Sequence, residues 1–229
     1  IYEKSPPQDD KEEEKNVIKV AVIGKPNVGK SSLINKILGE NRSIVSDVAG
    51  TTRDAIDTNF QNEMGNYVLI DTAGIRKKSK VTESIEKFSI MRTLLAIERS
   101  DVCLMMIDAE EGVTDQDAKI AGEAHEAGKG VIIVVNKWDL VEKETGTLEN
   151  YKKEIYARLK YLSYAPILFI SAKTGQRVNK LFELINSAYE QNTRRIPTAT
   201  LNQVINEAIA LVQPPSDKGK RLKILYGTQ

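Results

Sequence analysis

Gly24-Lys25-Pro26-Asn27-Val28-Gly29-Lys30-Ser31-Ser32 carries its glycines, lysine and hydroxyl at the spacing G-x-x-x-x-G-K-[ST]. That pattern suits a polyphosphate. Gly24 and Gly29 can adopt backbone conformations closed to other residues and let the chain approach the phosphates. Lys30 supplies a mobile point charge for the β- and γ-phosphates, and the Ser31 hydroxyl is placed to ligate Mg²⁺. The apolar run Val20–Ile23 precedes the loop, and Ser32–Leu38 follows it with helical spacing. A strand, a glycine turn and a helix N-terminus together make an anion site, through inward N–H groups and the helix dipole.

Three further clusters extend this chemistry. Asp71-Thr72-Ala73-Gly74 follows the apolar run Tyr67–Ile70. There Asp71 would reach Mg²⁺ through water, and the Gly74 N–H would bond the γ-phosphate. Asn136-Lys137-Trp138-Asp139 ends the apolar run Val131–Val135. A carboxylate accepting two N–H bonds at Asp139 selects guanine, because adenine offers the opposite pattern and would leave the carboxylate unpaired. The Lys137 stem can lie over the base, and Asn136 can tie this loop to the phosphate loop. Ser171-Ala172-Lys173, after Ile167–Ile170, sits where a third base-contacting loop is needed.

The elements that must position these clusters read as alternating strands and helices. Ala55–Asn62 is expected to be an edge strand. Strands are expected at Val102–Ile107, Val131–Val135 and Ile167–Ile170, with helices at Ile85–Glu98, Asp115–Ala127, Leu148–Leu162 and Val178–Gln191. All-apolar strands alternating with helices predict an α/β fold with a mainly parallel, six-stranded sheet covered on both faces and one antiparallel edge. Ligands in such sheets sit at the carboxyl ends of the strands, where all four clusters fall. Residues 1–16 are polar and acidic and read as a linker, 17–196 as the nucleotide-binding domain. In 197–229, a helix at Thr198–Val212 and a strand at Arg221–Tyr226 read as the incomplete start of another domain.

Composition limits the alternatives. The 229 residues are 41% hydrophobic and 28% charged, and a formal net charge of +1 gives no global argument for nucleic acid or membrane. The single cysteine, Cys103, lies in an apolar run, which leaves no internal disulfide and suits a buried thiol. No run approaches the length of a membrane span and no signal peptide is visible, so cytoplasm is expected. The first residue is Ile1, as in a fragment of a longer protein.

Taken together, the four motifs resemble those of the translation-factor-like, Ras-related GTPases. Gly-Lys-Pro-Asn-Val-Gly-Lys-Ser-Ser, Gly50-Thr51-Thr52-Arg53-Asp54, Asp71-Thr72-Ala73-Gly74-Ile75 and Asn136-Lys137-Trp138-Asp139 look like the Era, MnmE and Der (EngA) group. Within it, Ile75-Arg76-Lys77-Lys78, Ala124-His125-Glu126-Ala127-Gly128-Lys129, the acidic linker and Arg221-Leu222-Lys223 look like the second G domain of Der with the start of its KH-like domain. The resemblance implies a P-loop G domain that binds GTP and GDP, hydrolyses GTP with Mg²⁺, and acts in assembly of the large ribosomal subunit. It also implies an upstream G domain and a completed KH-like domain as neighbours in the same protein. Thr52 matches the threonine that closes on Mg²⁺ and the γ-phosphate. Ile75 stands where Ras-like proteins place the glutamine that orients water, and an aliphatic side chain cannot do that. Related GTPases of this group use K⁺ instead, held partly by the asparagine matching Asn27; a cation there would act where an arginine finger otherwise does.

The catalytic set expected on this reading is Lys30, Thr52, Gly74 and Asn27. The nucleotide is expected on residues 24–32, Asp71, Thr72, Ala73, Gly74, Asn136, Lys137, Asp139, Ser171, Ala172 and Lys173. Mg²⁺ falls to Ser31, Thr52 and Asp71, and K⁺ to Asn27. A second reading makes the domain a nucleotide-sensing module whose GDP or GTP state sets the posture of its neighbours, with incidental turnover. Arg76–Lys80 reads equally as a contact to rRNA phosphates or as a solvated or docking loop; Lys218, Lys220, Arg221 and Lys223 pose the same choice, but without a Gly-x-x-Gly clamp direct RNA contact is weakly supported there. His125 is expected on a helix surface without a metal role, and Glu110-Glu111-Gly112 in a loop.

Overall fold

The structure is a computed structural model that describes residues 17–40, 57–72, 84–212, 214–217 and 220–229. Six strands form one sheet: β1 (Val17–Ile23), β2 (Thr58–Asn62), β3 (Gly65–Ile70), β4 (Val102–Asp108), β5 (Gly130–Asn136) and β6 (Ile167–Phe169). Their order is β2-β3-β1-β4-β5-β6, and all pairings are parallel except β2 with β3. The hairpin residues Glu63 and Met64 are too few for a crossover, so β2 must turn back antiparallel at the edge. The expected mainly parallel six-stranded sheet is what forms.

Among the described residues, five helices flank it: α1 (Lys30–Glu40), α2 (Ser84–Arg99), α3 (Asp115–Glu126), α4 (Thr147–Arg158) and α5 (Lys180–Thr193). The period of two in the strands sorts their side chains onto two cores. Val20, Val22, Leu104, Met106, Ile132 and Val134 pack with Leu33, Ile34 and Ile37 of α1 and Leu181, Phe182 and Ile185 of α5. Their alternates Ala21, Ile23, Cys103, Met105, Ile133 and Val135 pack under α2, α3 and α4. β4 and β5 are buried at every residue, which explains their unbroken apolar sequences. Each fully buried Leu or Ile contributes about 1.5–3 kcal/mol. Cys103 is wholly buried, and burial pushes its thiol up to about 11, so it is an unreactive core residue.

Two expected elements differ. The helix Leu148–Leu162 stops at Arg158, because Leu159 leaves helical geometry at φ −109°, ψ 54°; Lys160–Leu162 continues as a short 3-10 turn. That break lets both Leu159 and Leu162 bury completely in the core. The strand Arg221–Tyr226 shrinks to a two-residue ladder between β7 (Ser216–Asp217) and β8 (Lys220–Arg221). A strand needs a partner edge for its backbone groups, and among the described residues this short segment offers only two residues.

The chain divides into two compact units, Ile1–Asn192 and Thr193–Gln229. In the second, α6 (Thr198–Leu211) buries no residue fully. Asn202 holds the C-terminal segment by donating to the Gly227 carbonyl at 2.9 Å and accepting its N–H at 2.8 Å. No helix among the described residues is long and apolar enough to cross a membrane.

Candidate nucleotide site

β1 ends at Ile23, and Gly24 then turns the chain with φ 138°. A Cβ there would lie 2.6 Å from the Met106 carbonyl oxygen, so the loop can pass β4 only as glycine. Asn27 takes a left-handed φ of 67°, which asparagine tolerates better than most side chains, and Gly29 a φ of 100°. α1 begins at Lys30, and its first turn directs backbone N–H groups into the loop. Val28 is buried while Pro26 and Asn27 are exposed, so the apolar residue anchors a loop whose crest faces out. The Lys30 ammonium donates to the carbonyls of Gly24 and Lys25, each at 2.6 Å, folding across the loop it would share with phosphates.

Asn136 joins the distant motifs. Its side-chain NH₂ donates to the Val28 carbonyl at 2.8 Å, and its Oδ1 accepts the Ala172 N–H at 2.8 Å. The Trp138 N–H donates to the Ile170 carbonyl at 3.0 Å, fastening the same two loops again. The neighbouring Ser171 hydroxyl, foremost, holds the Asp139 carboxyl below the usual carboxylate range; Lys173 and Lys143 add to it. Lys137 is left-handed at φ 63°, and its ammonium pairs with the buried Asp108 at the end of β4. The hydrogen bond to Asp108 is the main reason its pKa is raised. The phosphate loop and both base-side loops therefore meet at one end of the sheet.

Asp71 caps β3 in the left-handed region at φ 54°. Thr72 is buried, and its hydroxyl lies 2.8 Å from that of Thr58, so it serves as an interstrand tie. Lys25 is buried too. Its ammonium reaches Glu111 at 2.5 Å and the fully buried Asp117 at 3.7 Å, pinning the outgoing arm of the loop to the α3 side. Thr52, Ala73 and Gly74, with Ile75, Arg76–Lys80, residues 1–16 and Lys218, lie outside the described residues.

Three carboxylates went unnoticed in the sequence, Asp57, Asp108 and Asp117, and Glu111 was read only as part of a loop. Asp108 had a legible signal, an acid ending an all-apolar strand as Asp71 does. Asp117 had another, since Thr114-x-x-Asp117 forms a capping box at the start of α3. Glu110-Glu111-Gly112 is indeed a loop, with Glu111 committed to Lys25. His125 is exposed on α3, its Nδ1 3.0 Å from the Tyr164 hydroxyl.

The donor chemistry fits a Mg²⁺-bound nucleotide. Gly24 and Gly29 let the loop pack against Met106 and Asn136 where a Cβ would clash, and Ser31 and Asp71 offer the hard oxygens that Mg²⁺ takes alongside phosphates. Among the described residues no three His, Cys, Asp or Glu side chains gather into a metal cluster. Mg²⁺ needs no such cage when phosphates complete its shell.

A mainly parallel sheet with a phosphate loop after β1 and a carboxylate loop after β5 defines the G domain of a P-loop GTPase. The chain belongs to the family described as 50S ribosome-binding GTPase, whose model matches residues 19–137. Residues 195–229 match the KH-domain-like C-terminal family of EngA bacterial GTPase enzymes. The chain is 62% identical over 229 residues to GTPase Der of Acetivibrio thermocellus, covering all of this chain and 52% of that protein. It is 65% identical over 214 residues to GTPase Der of Alkaliphilus metalliredigens, covering 93% of this chain and 49% of that one. The chain thus spans about half the length of the curated relatives it matches. Among solved structures, Era in complex with MgGDPNP and nucleotides 1506–1542 of 16S ribosomal RNA is 31% identical, with a TM-score of 0.59 over 76% of this chain and 57% of that one. An Aquifex aeolicus Era variant bound to GDP and AlF4⁻ is 33% identical, with a TM-score of 0.57 over 75% of this chain and 56% of that one.

Proposed function

We propose that this chain binds guanine nucleotides and hydrolyses GTP to GDP and phosphate, within a protein that acts in assembly of the large ribosomal subunit. The observation that carries the reading is Asn136, which bonds the phosphate loop through Val28 and the base-side loop through Ala172. One side chain thereby fixes the span between phosphate and base.

In this reading Asp139 accepts the two donors of guanine, oriented by Ser171, while the Lys137 stem covers the base. Lys173, exposed beside them, completes the base-side loop. Residues 24–32 wrap the phosphates, and Lys30 offsets charge on the β- and γ-oxygens. Ser31 and Thr52, with Asp71 through water, would hold Mg²⁺, which would supply charge neutralisation at the phosphates. The Gly74 N–H would bond the γ-phosphate, following Thr72 and Ala73 in the same motif. Ile75 cannot orient water; Lys30 would offset charge at the transition state, and Asn27, whose left-handed backbone sits on the exposed crest of the loop, would help hold a K⁺ that supplies further positive charge there.

Kinship to the Der proteins supports a cytoplasmic role on the large subunit or its rRNA, beside an upstream G domain and a completed KH-like domain. The test is phosphate release from GTP with Mg²⁺ in KCl against NaCl at equal ionic strength. Turnover that is fast only in KCl, and lost in Asn27→Ala, is expected. Equal rates in both salts would remove K⁺ from the reading. Tight GDP binding without turnover in either would make the domain a nucleotide-sensing module.

A further inference from the structure

Asp57 stands just before β2 and is bonded on both oxygens. Oδ1 accepts the backbone N–H of Asp71 at 3.0 Å, and Oδ2 accepts from the guanidinium of Arg99, the last residue of α2. The antiparallel register explains the meeting: Thr58 pairs with Leu69, so residue 57 falls beside the chain as it leaves β3. One residue further on, the buried Thr58 and Thr72 hydroxyls meet and repeat the tie. The peptide being held is an unusual one. Asp71 is left-handed at φ 54°, a region that side-chain-bearing residues rarely occupy unless their surroundings enforce it. A carboxylate accepting its amide is a charge-assisted bond and supplies that enforcement.

We propose that Asp57 is a positioning residue for Asp71. Its carboxylate, steadied by Arg99, holds the left-handed Asp71 peptide so that the Asp71 side chain is set for nucleotide-bound Mg²⁺. Asp57 acts through Asp71 and touches neither nucleotide nor metal. This inference rests on the GTPase reading above.

The test is release of fluorescent GDP from the full chain across a Mg²⁺ titration, for wild type, Asp57→Ala and Asp57→Asn. Asparagine keeps an acceptor oxygen for the Asp71 N–H; alanine does not. Asp57→Ala is expected to need about tenfold more Mg²⁺ to slow release, and Asp57→Asn less than about threefold more. In excess EDTA all three should release GDP alike. Without metal, hydrogen exchange at the Asp71 amide should be slow in wild type and Asp57→Asn and fast in Asp57→Ala. Superimposable Mg²⁺ curves would overturn the inference even if Asp57→Ala is less stable. So would faster release that persists unchanged in EDTA, since that reports a generally loosened site. If Asp57→Ala does not fold, Arg99→Gln frees the carboxylate instead; a shift of about threefold supports the proposal and none overturns it. A wild type that binds no GDP, or releases it independently of Mg²⁺, would end the GTPase reading and this inference with it; a Mg²⁺-dependent wild type with indifferent variants ends only the inference.

Discussion

A Cβ built on Gly29 would lie 2.2 Å from the side-chain nitrogen of Asn136, although 107 residues separate them in the chain. The glycine is therefore required twice, by its φ of 100° and by the asparagine that crosses its back to reach the Val28 carbonyl. Gly29→Ala should force either the loop or Asn136 aside. A loss of about 1–3 kcal/mol in stability is expected, together with a large loss of GDP affinity. Chemical denaturation and fluorescent-nucleotide titration would measure both, and an unaltered GDP affinity would contradict the packing described.

Asn136→Ala removes two hydrogen bonds and leaves the Val28 carbonyl and the Ala172 N–H, both buried, without that partner. Each such group costs about 1–3 kcal/mol. GDP affinity should fall by more than about tenfold, because the two loops lose their common reference. Asn136→Asp keeps the acceptor for Ala172 but turns the donor facing Val28 into an acceptor, so it should rescue nothing.

Base choice should follow Asp139. An amide at this position presents a donor to the base, which suits a 2-oxo group in place of a 2-amino group. Asp139→Asn is expected to lose GDP binding and gain xanthosine diphosphate, by about 100-fold or more in relative affinity. Competition binding with the two nucleotides decides it. The acid side is also predictable. The Asp139 pKa is lowered in the folded protein, so its contribution is present above the usual value of 3.8 and is lost as pH falls through the folded value. Ser171→Ala should move that loss to higher pH.

Lys25 makes a case about stability. Burial lowers its pKa, but the hydrogen bond to Glu111 and the charges of Asp117, Glu111 and Asp108 together raise it above 10.5. Its ion-pair contribution should thus be constant below that value and vanish as pH rises through the folded pKa, steepening alkaline unfolding. Lys25→Met leaves Asp117 buried and uncompensated and should cost about 3–5 kcal/mol. Glu111→Gln removes a partner whose side chain is 61% exposed and should cost under about 1 kcal/mol. Lys25→Met combined with Asp117→Asn should recover part of the loss. Denaturation of the four proteins at pH 7 and pH 10 tests the ordering.

The sequence by itself determined the layered sheet, because strands buried on both faces must be apolar throughout, as Val102–Ile107 and Val131–Val135 are. The motifs at 24–32, 136–139 and 171–173 were legible too, because each is a contiguous set of residue types at short fixed spacing. The helix at Leu148–Leu162 was misread at its end, since its apolar pattern does not reveal that Leu159 and Leu162 bury better from a broken backbone. What only the tertiary structure decided are the pairings between charges far apart in the chain: Lys25 with Glu111 and Asp117, Lys137 with Asp108, Arg99 with Asp57. A lone Asp or Lys in a sequence looks the same whether it faces water or a partner. Only the register of β2 on β3, and of β4 beside β1 and β5, brings these carboxylates to the cations they pair with.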